Sequence, residues 1–359
     1  MTSGYSFFKY INCIPEDYEH LLSSNWYFPV AYTLTGINAV FIIKGLILNI
    51  ICFIIVGKDH SDSVMSGILR FVSVGDELAL LSNGVDSFCH VFETRINNPI
   101  SMNKILGYIH SINWIFKASF SASRNWGMMY LAVSRCIYII YPIKAVNMIT
   151  LSKSYKFLIT IFVTIMIINI PKVFETMVSI TTCGNFTIAT IGSSGFMPTW
   201  YILITSVFFN SLIPMFITVI ANMLLLRKWY MTVANRKTLS SVKSKSFDSE
   251  IQKNSTVIKT VLMLSSLFII CQAPMISYGF IVLSKQTAVF FNIFNLVGLL
   301  VSDIDSSCNF WIYVTSNSRF KRHLIMTIPC LKWLGLKSKY INQSKMHIKS
   351  IHSMNVSIY

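Results

Sequence analysis

The stretch Val30–Val56, VAYTLTGINAVFIIKGLILNIICFIIV, decides the class of fold, because Lys44 is its only charged residue. A helix of this length and composition can cross the roughly 30 Å hydrocarbon core of a bilayer. The whole chain has the same character: 53% of its 359 residues are hydrophobic, only 12% are charged, and the mean hydropathy is +0.59. A soluble domain carries about 25% charged residues. The composition therefore excludes a soluble globular enzyme, a disordered chain and a fibrous repeat, and it predicts a polytopic membrane protein.

Six further apolar segments follow this one along the chain. Their approximate bounds are Val64–Val91, Ile105–Tyr141, Tyr155–Phe174, Phe196–Leu226, Thr260–Leu283 and Gln286–Val314. Since a membrane-spanning helix needs about 20 predominantly apolar residues, the sequence predicts an all-α membrane protein. Its main domain is a seven-transmembrane helix bundle over residues 30–314, preceded by an N-tail over residues 1–29.

Lysine and arginine are distributed unevenly between the two sides of this predicted bundle. The side of the N-tail holds 5 of them in its tail, loops and span ends, and the opposite side holds 20. Because positive charge is retained on the cytoplasmic side, we expect a plasma-membrane protein with an extracellular N-terminus and a cytoplasmic C-terminus. The net charge of +16 then indicates contact with anionic inner-leaflet lipid and no nucleic-acid partner.

Ionisable residues inside the predicted spans are the candidate functional positions, since charge at membrane depth is costly and usually functional. In the third span Lys117, Arg124 and Arg135 fall near one face of the helix. The acidic residues that can pair with them lie on the second and seventh spans: Asp76, Asp86, Asp303 and Asp305. Buried ion pairs can fix helix register alone or line a ligand pocket. Both interpretations stay open for Asp76 with Arg124, and we favour the pocket for Lys117 with Asp303.

Several short motifs, taken in order, resemble those of rhodopsin-like G-protein-coupled receptors. They are Asn49 of the first span, Asp76 of the second, Ser134-Arg135-Cys136 in the place of Asp-Arg-Tyr, Pro214 of the fifth, Cys271-Gln272-Ala273-Pro274 in the place of Cys-Trp-x-Pro, and Asn309-Phe310-Trp311-Ile312-Tyr313 in the place of Asn-Pro-x-x-Tyr. The resemblance covers about Val30 to Trp333. The segments Ile170–Glu175, Cys271–Pro274 and Asn309–Tyr313 are similar to invertebrate receptors for FMRFamide-like neuropeptides.

The resemblance implies a receptor that passes the binding of an extracellular peptide or small molecule to a heterotrimeric G protein. The implied ligand-binding residues are Asp86, Trp114, Lys117, Ser121, Gln272 and Asp303. The implied residues of the activation switch and the G-protein surface are Asn49, Asp76, Arg124, Arg135, Pro274, Asn309 and Tyr313. A peptide ending in Arg-Phe-amide needs acidic partners, whereas Lys117 repels its guanidinium and leaves room for a carboxylate-bearing ligand.

Three positions depart from the family pattern. Ser134 replaces the acid that restrains the motif arginine, Gln272 replaces a tryptophan, and His110 stands where a disulfide cysteine is usual. Cys183 therefore lacks its usual partner, and the resemblance leaves Cys13 and Cys89 as outward-facing candidates. We favour a Cys89–Cys183 disulfide. In the same outer loop Asn185 begins a glycosylation sequon.

The end of the chain divides into two predicted segments. Residues 315–335 carry apolar side chains at helical spacing beside basic ones, which is typical of an amphipathic helix on the inner leaflet. Residues 336–359 have a polar composition that predicts disorder. No catalytic or metal-binding motif occurs, so we expect no enzyme activity, cofactor or metal.

Other functions remain compatible with the sequence. On the same fold, the chain could be a chemosensory receptor for a small molecule or a receptor-shaped protein without signalling. A transporter or ion-conducting protein is less well supported, because the spans show no internal repeat.

Overall fold

The computed structural model describes residues 27–58, 64–93, 100–183, 186–193, 198–238, 262–274, 276–277, 288–316 and 318–328. Helices dominate these residues. In chain order they are α1 Tyr27–Lys58, α2 Val64–Glu93, α3 Ile100–Ile140, α4 Pro142–Met148, α5 Leu151–Asn169, α6 Thr199–Ile202, α7 Ile213–Thr238, α8 Leu262–Pro274, α9 Ala288–Ser316 and α10 Ser318–Thr327. A 3-10 helix, Ile170–Glu175, continues α5, and a π-helix, Leu203–Leu212, joins α6 to α7.

Within the described chain, three helical segments are long and apolar enough to cross a membrane. They are Pro29–Gly57, Leu151–Phe174 and Leu203–Met231. The protein is therefore a membrane protein. The helices α2, α3 and α9 carry ionisable residues at the positions that the sequence singles out, and the described part of α8 is short. The passage of these four helices through the membrane stays a prediction.

Pairs of contacting side chains define the direction of each long helix. Asp76 of α2 contacts Arg124 of α3, and the later Asp86 contacts the earlier Lys117, so these two helices are antiparallel. Equivalent pairs make α1 antiparallel to α2, α9 antiparallel to α2, α5 antiparallel to α3, and α7 parallel to α3. The helices α1, α2, α3, α5 and α7 thus alternate in direction along the chain, and α9 runs in the same direction as α7.

A glycine brings α1 into close contact with both α2 and α9. A Cβ atom at Gly45 would lie 2.6 Å from Leu80 Cδ1 and 3.3 Å from Ser307 Cβ. Small residues at such crossings let membrane helices approach closely, which favours van der Waals packing and polar contacts between them. This approach places the polar residues of α2 and α9 opposite each other.

The end of α9 and the helix α10 pack into an apolar core. Phe320 and Leu324 of α10 are buried in this core, and the Phe320 ring lies 5.9 Å from that of Phe310, in edge-to-face contact. The described α10 ends at Thr327, before the predicted end of the amphipathic helix at residue 335, and residues 329–359 lie outside the described part of the chain. The described part of the amphipathic segment therefore packs its apolar face against the bundle.

A β-hairpin follows the 3-10 helix and corrects the all-α expectation. Strand β1, Thr176–Cys183, pairs antiparallel with strand β2, Phe186–Ser193, in a register from Thr176↔Ser193 to Cys183↔Phe186. Both strands are rich in β-branched residues, which favour extended backbone. We call the end of the bundle at which α5 leads into this hairpin the hairpin end.

Candidate functional site

Arg124 lies at the centre of a buried polar cluster between α2, α3 and α9, with 1% of its surface exposed. Its Nε atom lies 3.8 Å from Asp76 Oδ1, and its Nη2 atom lies 3.5 Å from Asp305 Oδ2. Its Nη1 atom donates a 2.6 Å hydrogen bond to Ser306 Oγ. The predicted pair of Asp76 with Arg124 therefore forms, and Asp305 adds a second carboxylate to it.

Asn309 extends this cluster along α9. Its Nδ2 atom donates a 2.7 Å hydrogen bond to Asp76 Oδ2, so the motif residues of α2 and α9 are in direct contact. One turn further on, Tyr313 is buried and its ring lies 5.7 Å from that of Phe320 in α10. Asn49 is buried on α1. The predicted switch residues of α9 thus connect the polar cluster to the end of the bundle opposite the hairpin.

Pro214 explains a second set of polar contacts, between α3 and the π-helix. Proline has no backbone N–H, so neither the carbonyl four residues before it, of Asn210, nor the one five residues before it, of Phe209, can receive a helical bond from it. Two consecutive side chains of α3 donate to these carbonyls instead. Asn125 Nδ2 lies 2.9 Å from the Asn210 oxygen, and Trp126 Nε1 lies 3.2 Å from the Phe209 oxygen.

Asn125 also joins the Arg124 side chain to α8. Its Oδ1 atom accepts a 3.1 Å bond from Arg124 Nη2, and its Nδ2 atom lies 3.4 Å from Gln272 Oε1. Gln272 was predicted to bind ligand, and it is buried within this network; Pro274 follows at the end of α8. We refer to the connected residues as the Arg124 cluster: Asp76, Arg124, Asn125, Gln272, Asp305, Ser306 and Asn309.

A second cluster, formed by Asp86, His110 and Lys117, lies nearer the hairpin end. Lys117 Nζ pairs with Asp86 Oδ2, and His110 Nδ1 lies 2.9 Å from Asp86 Oδ1. The Asp86 and Lys117 side chains are each 18% exposed and that of His110 is 29% exposed. The predicted pairing of Lys117 with Asp303 is therefore wrong, because Asp86 lies directly across the α2–α3 contact and forms the ion pair with the ammonium. We call these three residues the Asp86 cluster.

Asp303 has amide partners instead of a lysine. Its Oδ1 atom accepts a 2.5 Å hydrogen bond from Asn83 Nδ2, and Asn38 of α1 faces the same carboxylate. Its Oδ2 atom is buried and accepts no hydrogen bond from the described residues. One carboxylate oxygen at the contact of α1, α2 and α9 is thus left for a further donor.

The sequence does not single out Lys172 as a functional candidate, because it is one of the 5 lysine and arginine residues assigned to the side of the N-tail. It lies in the 3-10 helix after α5, is 1% exposed, and donates a 2.7 Å hydrogen bond to Ser206 Oγ of the π-helix. No carboxylate of the described residues forms an ion pair with it. A lysine placed directly after an apolar run, Pro171-Lys172, is the sequence signal that could have indicated burial.

At the opposite end of the bundle, Arg135 has no ion-pair partner among the described carboxylates. The neighbouring Ser134 is fully buried, and its hydroxyl donates a 2.6 Å bond to the Tyr130 carbonyl in the preceding turn of the same helix. Ser134 therefore bonds within its own helix and does not replace the acid that the family has at this position.

The remaining predicted site residues are not brought into either cluster. Trp114 and Ser121 are half-buried on α3, and Cys89 is buried on α2. The side chain of Cys183 and the whole of Asn185 lie outside the described residues. The disulfide and the glycosylation site stay predictions.

Comparisons with known proteins add no relative to this geometry. No family model matches the chain, and no curated protein matches it. Among the residues that the structure describes, no three His, Cys, Asp or Glu side chains are grouped to hold a metal ion. The polar clusters and the sequence motifs are therefore the evidence about the function of this chain.

Proposed function

We propose that the protein is a rhodopsin-like receptor with seven transmembrane helices, which passes the binding of an extracellular ligand to a heterotrimeric G protein. The observation that carries this proposal is the Arg124 cluster. Its side chains come from α2, α3, α8 and α9, and through Asn125 it also contacts the π-helix. A movement of any one of these helices changes the partners of the others.

A network of this kind suits a conformational switch. Buried ion pairs are weak contributors to stability, and apolar residues of similar volume often stabilise a protein as well or better. A buried polar network instead has discrete alternative arrangements, because each donor must keep a partner. A ligand that binds one arrangement more tightly shifts the equilibrium toward it.

The two ends of the bundle support different roles. The uneven distribution of lysine and arginine favours an extracellular hairpin end, where the partly exposed Asp86 cluster is accessible to a ligand. An amidated peptide carrying an arginine is the ligand that we favour, and the Oδ2 atom of Asp303, which accepts no hydrogen bond in the described part of the chain, is a suitable acceptor for its guanidinium.

The opposite end supports coupling to a G protein. There Arg135 has no carboxylate partner among the described residues, and the basic helix α10 follows α9 at this end of the bundle. Lys321 and Arg322 of α10 suit contact with anionic lipid. The tyrosine of the α9 motif, Tyr313, joins this end to the Arg124 cluster.

The experiment that tests the proposal is guanine-nucleotide exchange on a heterotrimeric G protein in membranes that contain the full chain. It is run without ligand and then with a panel of amidated peptides ending in Arg-Phe. We expect saturable exchange with one peptide, which Asp303→Asn weakens at unchanged surface expression.

Two results would count against the proposal. The first is the absence of nucleotide exchange, both without ligand and with every peptide, from a chain shown to reach the cell surface. The second is ion flux or substrate uptake in vesicles that contain the chain and no G protein, because it would establish a transporter or channel.

A further inference from the structure

Lys172 is a buried cation whose partner is a neutral group. Its side chain is 1% exposed, and its Nζ atom contacts the Ser206 hydroxyl at 2.7 Å. A lysine ammonium has three N–H donors. The described residues give one of them a hydrogen-bond acceptor and give the charge no carboxylate.

This arrangement is unfavourable for a residue whose role is only structural. Taking an ammonium out of water has a cost of several kcal/mol, and a carboxylate at short distance is what usually offsets it. Lysine side chains near the ends of membrane helices normally reach outward to the interface instead. Among the described residues the Lys172 side chain has no such carboxylate, and it is buried, so a negative partner from outside these residues best explains its position.

The surroundings of Lys172 place it on the ligand side of the proposed receptor. It lies between the end of α5 and strand β1, at the hairpin end, and its 3-10 helix packs against α3. Ser206 lies in the π-helix that precedes Pro214. A hydroxyl can accept from the ammonium in the free protein and donate to an anion when one is bound.

We propose that Lys172 and Ser206 form a subsite for a carboxylate group of the ligand. One ammonium and one hydroxyl match the single charge and two oxygens of a carboxylate, whereas a phosphate dianion needs additional cationic donors that the described residues do not supply here. This inference rests on the proposed receptor function and adds that the ligand carries an organic acid, which in an amidated peptide is the side chain of an Asp or Glu, besides any cationic group that Asp303 accepts.

The test is thermal unfolding of the purified full chain in detergent micelles with butanoate, at matched ionic strength, against butanamide of the same shape. At about ten times its dissociation constant, butanoate is expected to raise the midpoint of unfolding by about 2 °C. Butanamide is expected to leave the midpoint unchanged, because it lacks the charge. Inorganic phosphate is the second probe, and it is expected to have a smaller effect than butanoate.

Three variants assign any effect to the subsite. Lys172→Met is expected to abolish the butanoate shift and to raise the midpoint of the free protein, because it removes an unpaired buried charge while keeping the volume of the side chain. Lys172→Arg is expected to retain part of the shift. Lys156→Met, at an exposed lysine near the other end of α5, is the matched control and is expected to change neither quantity.

Several results would overturn the inference. Three of them concern the probes: equal stabilisation by butanoate and butanamide, a larger shift of the midpoint with phosphate than with butanoate, or a butanoate shift that persists in Lys172→Met. The fourth is a lower midpoint of unfolding for ligand-free Lys172→Met than for the unmodified chain. That result would show that the Lys172–Ser206 bond stabilises the fold. Because unfolding is measured without a G protein, these results are separate from a failure of nucleotide exchange, which bears on the receptor proposal.

The source of the carboxylate is resolved in the exchange assay. Each peptide of the panel is supplied with a free C-terminal acid and as its amide, beside butanoate alone. Activation by the acid form only identifies a peptide terminus, and activation by a small acid alone identifies a free organic acid. Activation by amides that contain no acidic residue would contradict the subsite.

Discussion

Arg124 and Lys172 are both buried cations, each 1% exposed, and their surroundings are opposite. Arg124 has two carboxylates, a serine hydroxyl and an asparagine oxygen around its guanidinium. Lys172 has one hydroxyl. Among the described residues the fold thus provides carboxylates for one buried cation and none for the other.

The difference follows from the chemistry of the two side chains and their places in the fold. A guanidinium has five donors in a rigid fork and holds several acceptors at once, which suits the contact of several helices. An ammonium is a compact charge on a flexible stem, which suits a single incoming anion at the edge of the bundle. Burial alone therefore does not indicate a binding residue, whereas burial without a counter-ion among the described residues makes Lys172 a candidate for one.

The largest expected effect is that of Arg124→Met. It leaves Asp76 and Asp305 buried without their common cation, and removing one partner of a buried ion pair typically has a cost of about 3–5 kcal/mol. We expect a decrease of that order in the free energy of unfolding, measured by denaturant titration of the full chain in micelles.

The control for this prediction is the triple variant in which Arg124→Met is combined with Asp76→Asn and Asp305→Asn. It removes the uncompensated carboxylates, so it is expected to recover much of the loss. A triple variant that is less stable than Arg124→Met would contradict the view that the charges compensate each other.

The contact of α3 with the π-helix gives the next largest effect. Asn125→Ala removes the donor to the Asn210 carbonyl, and an unsatisfied buried acceptor has a cost of about 1–3 kcal/mol. The cycle with Pro214→Ala is the sharper measurement, because alanine restores a backbone N–H to the helix. We expect the double variant to be more stable than the sum of the single effects, and simple additivity would show that Pro214 does not leave these carbonyls for α3.

The partly exposed Asp86 cluster is expected to contribute less to the free energy of unfolding than the buried Arg124 cluster. Lys117→Met is expected to lower the free energy of unfolding by about 1 kcal/mol, since solvent screens a pair that is 18% exposed on each side. The exchanged pair, Lys117→Asp with Asp86→Lys, is expected to restore part of that loss. A loss as large as that of Arg124→Met would mean that the two clusters do not differ as their exposures indicate.

The smallest expected effect concerns Arg135, which like Lys172 has no carboxylate partner among the described residues. Ser134→Asp places an acid where the resembled family has one, and we expect it to reduce ligand-independent nucleotide exchange at equal surface expression. Ser134→Ala is the control, because it removes the hydroxyl without adding charge. An increase in exchange for Ser134→Asp would contradict a restraining role for an acid at this position.

Sequence patterns predicted the inner part of the site better than its outer part. The pair of Asp76 with Arg124 follows from ionisable residues in neighbouring apolar runs, which have few alternatives for neutralisation. The partner of Lys117 depends on the vertical offset between α2 and α3, which hydropathy does not determine, so Asp303 was predicted where Asp86 is found.

Two backbone features were missed for different reasons. The β-hairpin has a detectable signal in its β-branched runs, but these stand between predicted spans, where the spacing of the spans predicts an outer loop. The π-helix has no such signal, because Pro214 shows only where a helical bond is lost and not which side chains replace it. Asn125, Trp126 and Lys172 therefore acquire their roles only in three dimensions.

The most direct test of the account compares Arg124→Met and Lys172→Met in one experiment. Both substitutions replace a buried cation by the same apolar residue, and the midpoint of thermal unfolding of the ligand-free full chain is measured in the same detergent. We predict that the midpoint of unfolding, relative to that of the unmodified chain, is lower for Arg124→Met and higher for Lys172→Met. A lower midpoint for both would show that Lys172 is neutralised within the chain and would contradict its assignment to a ligand.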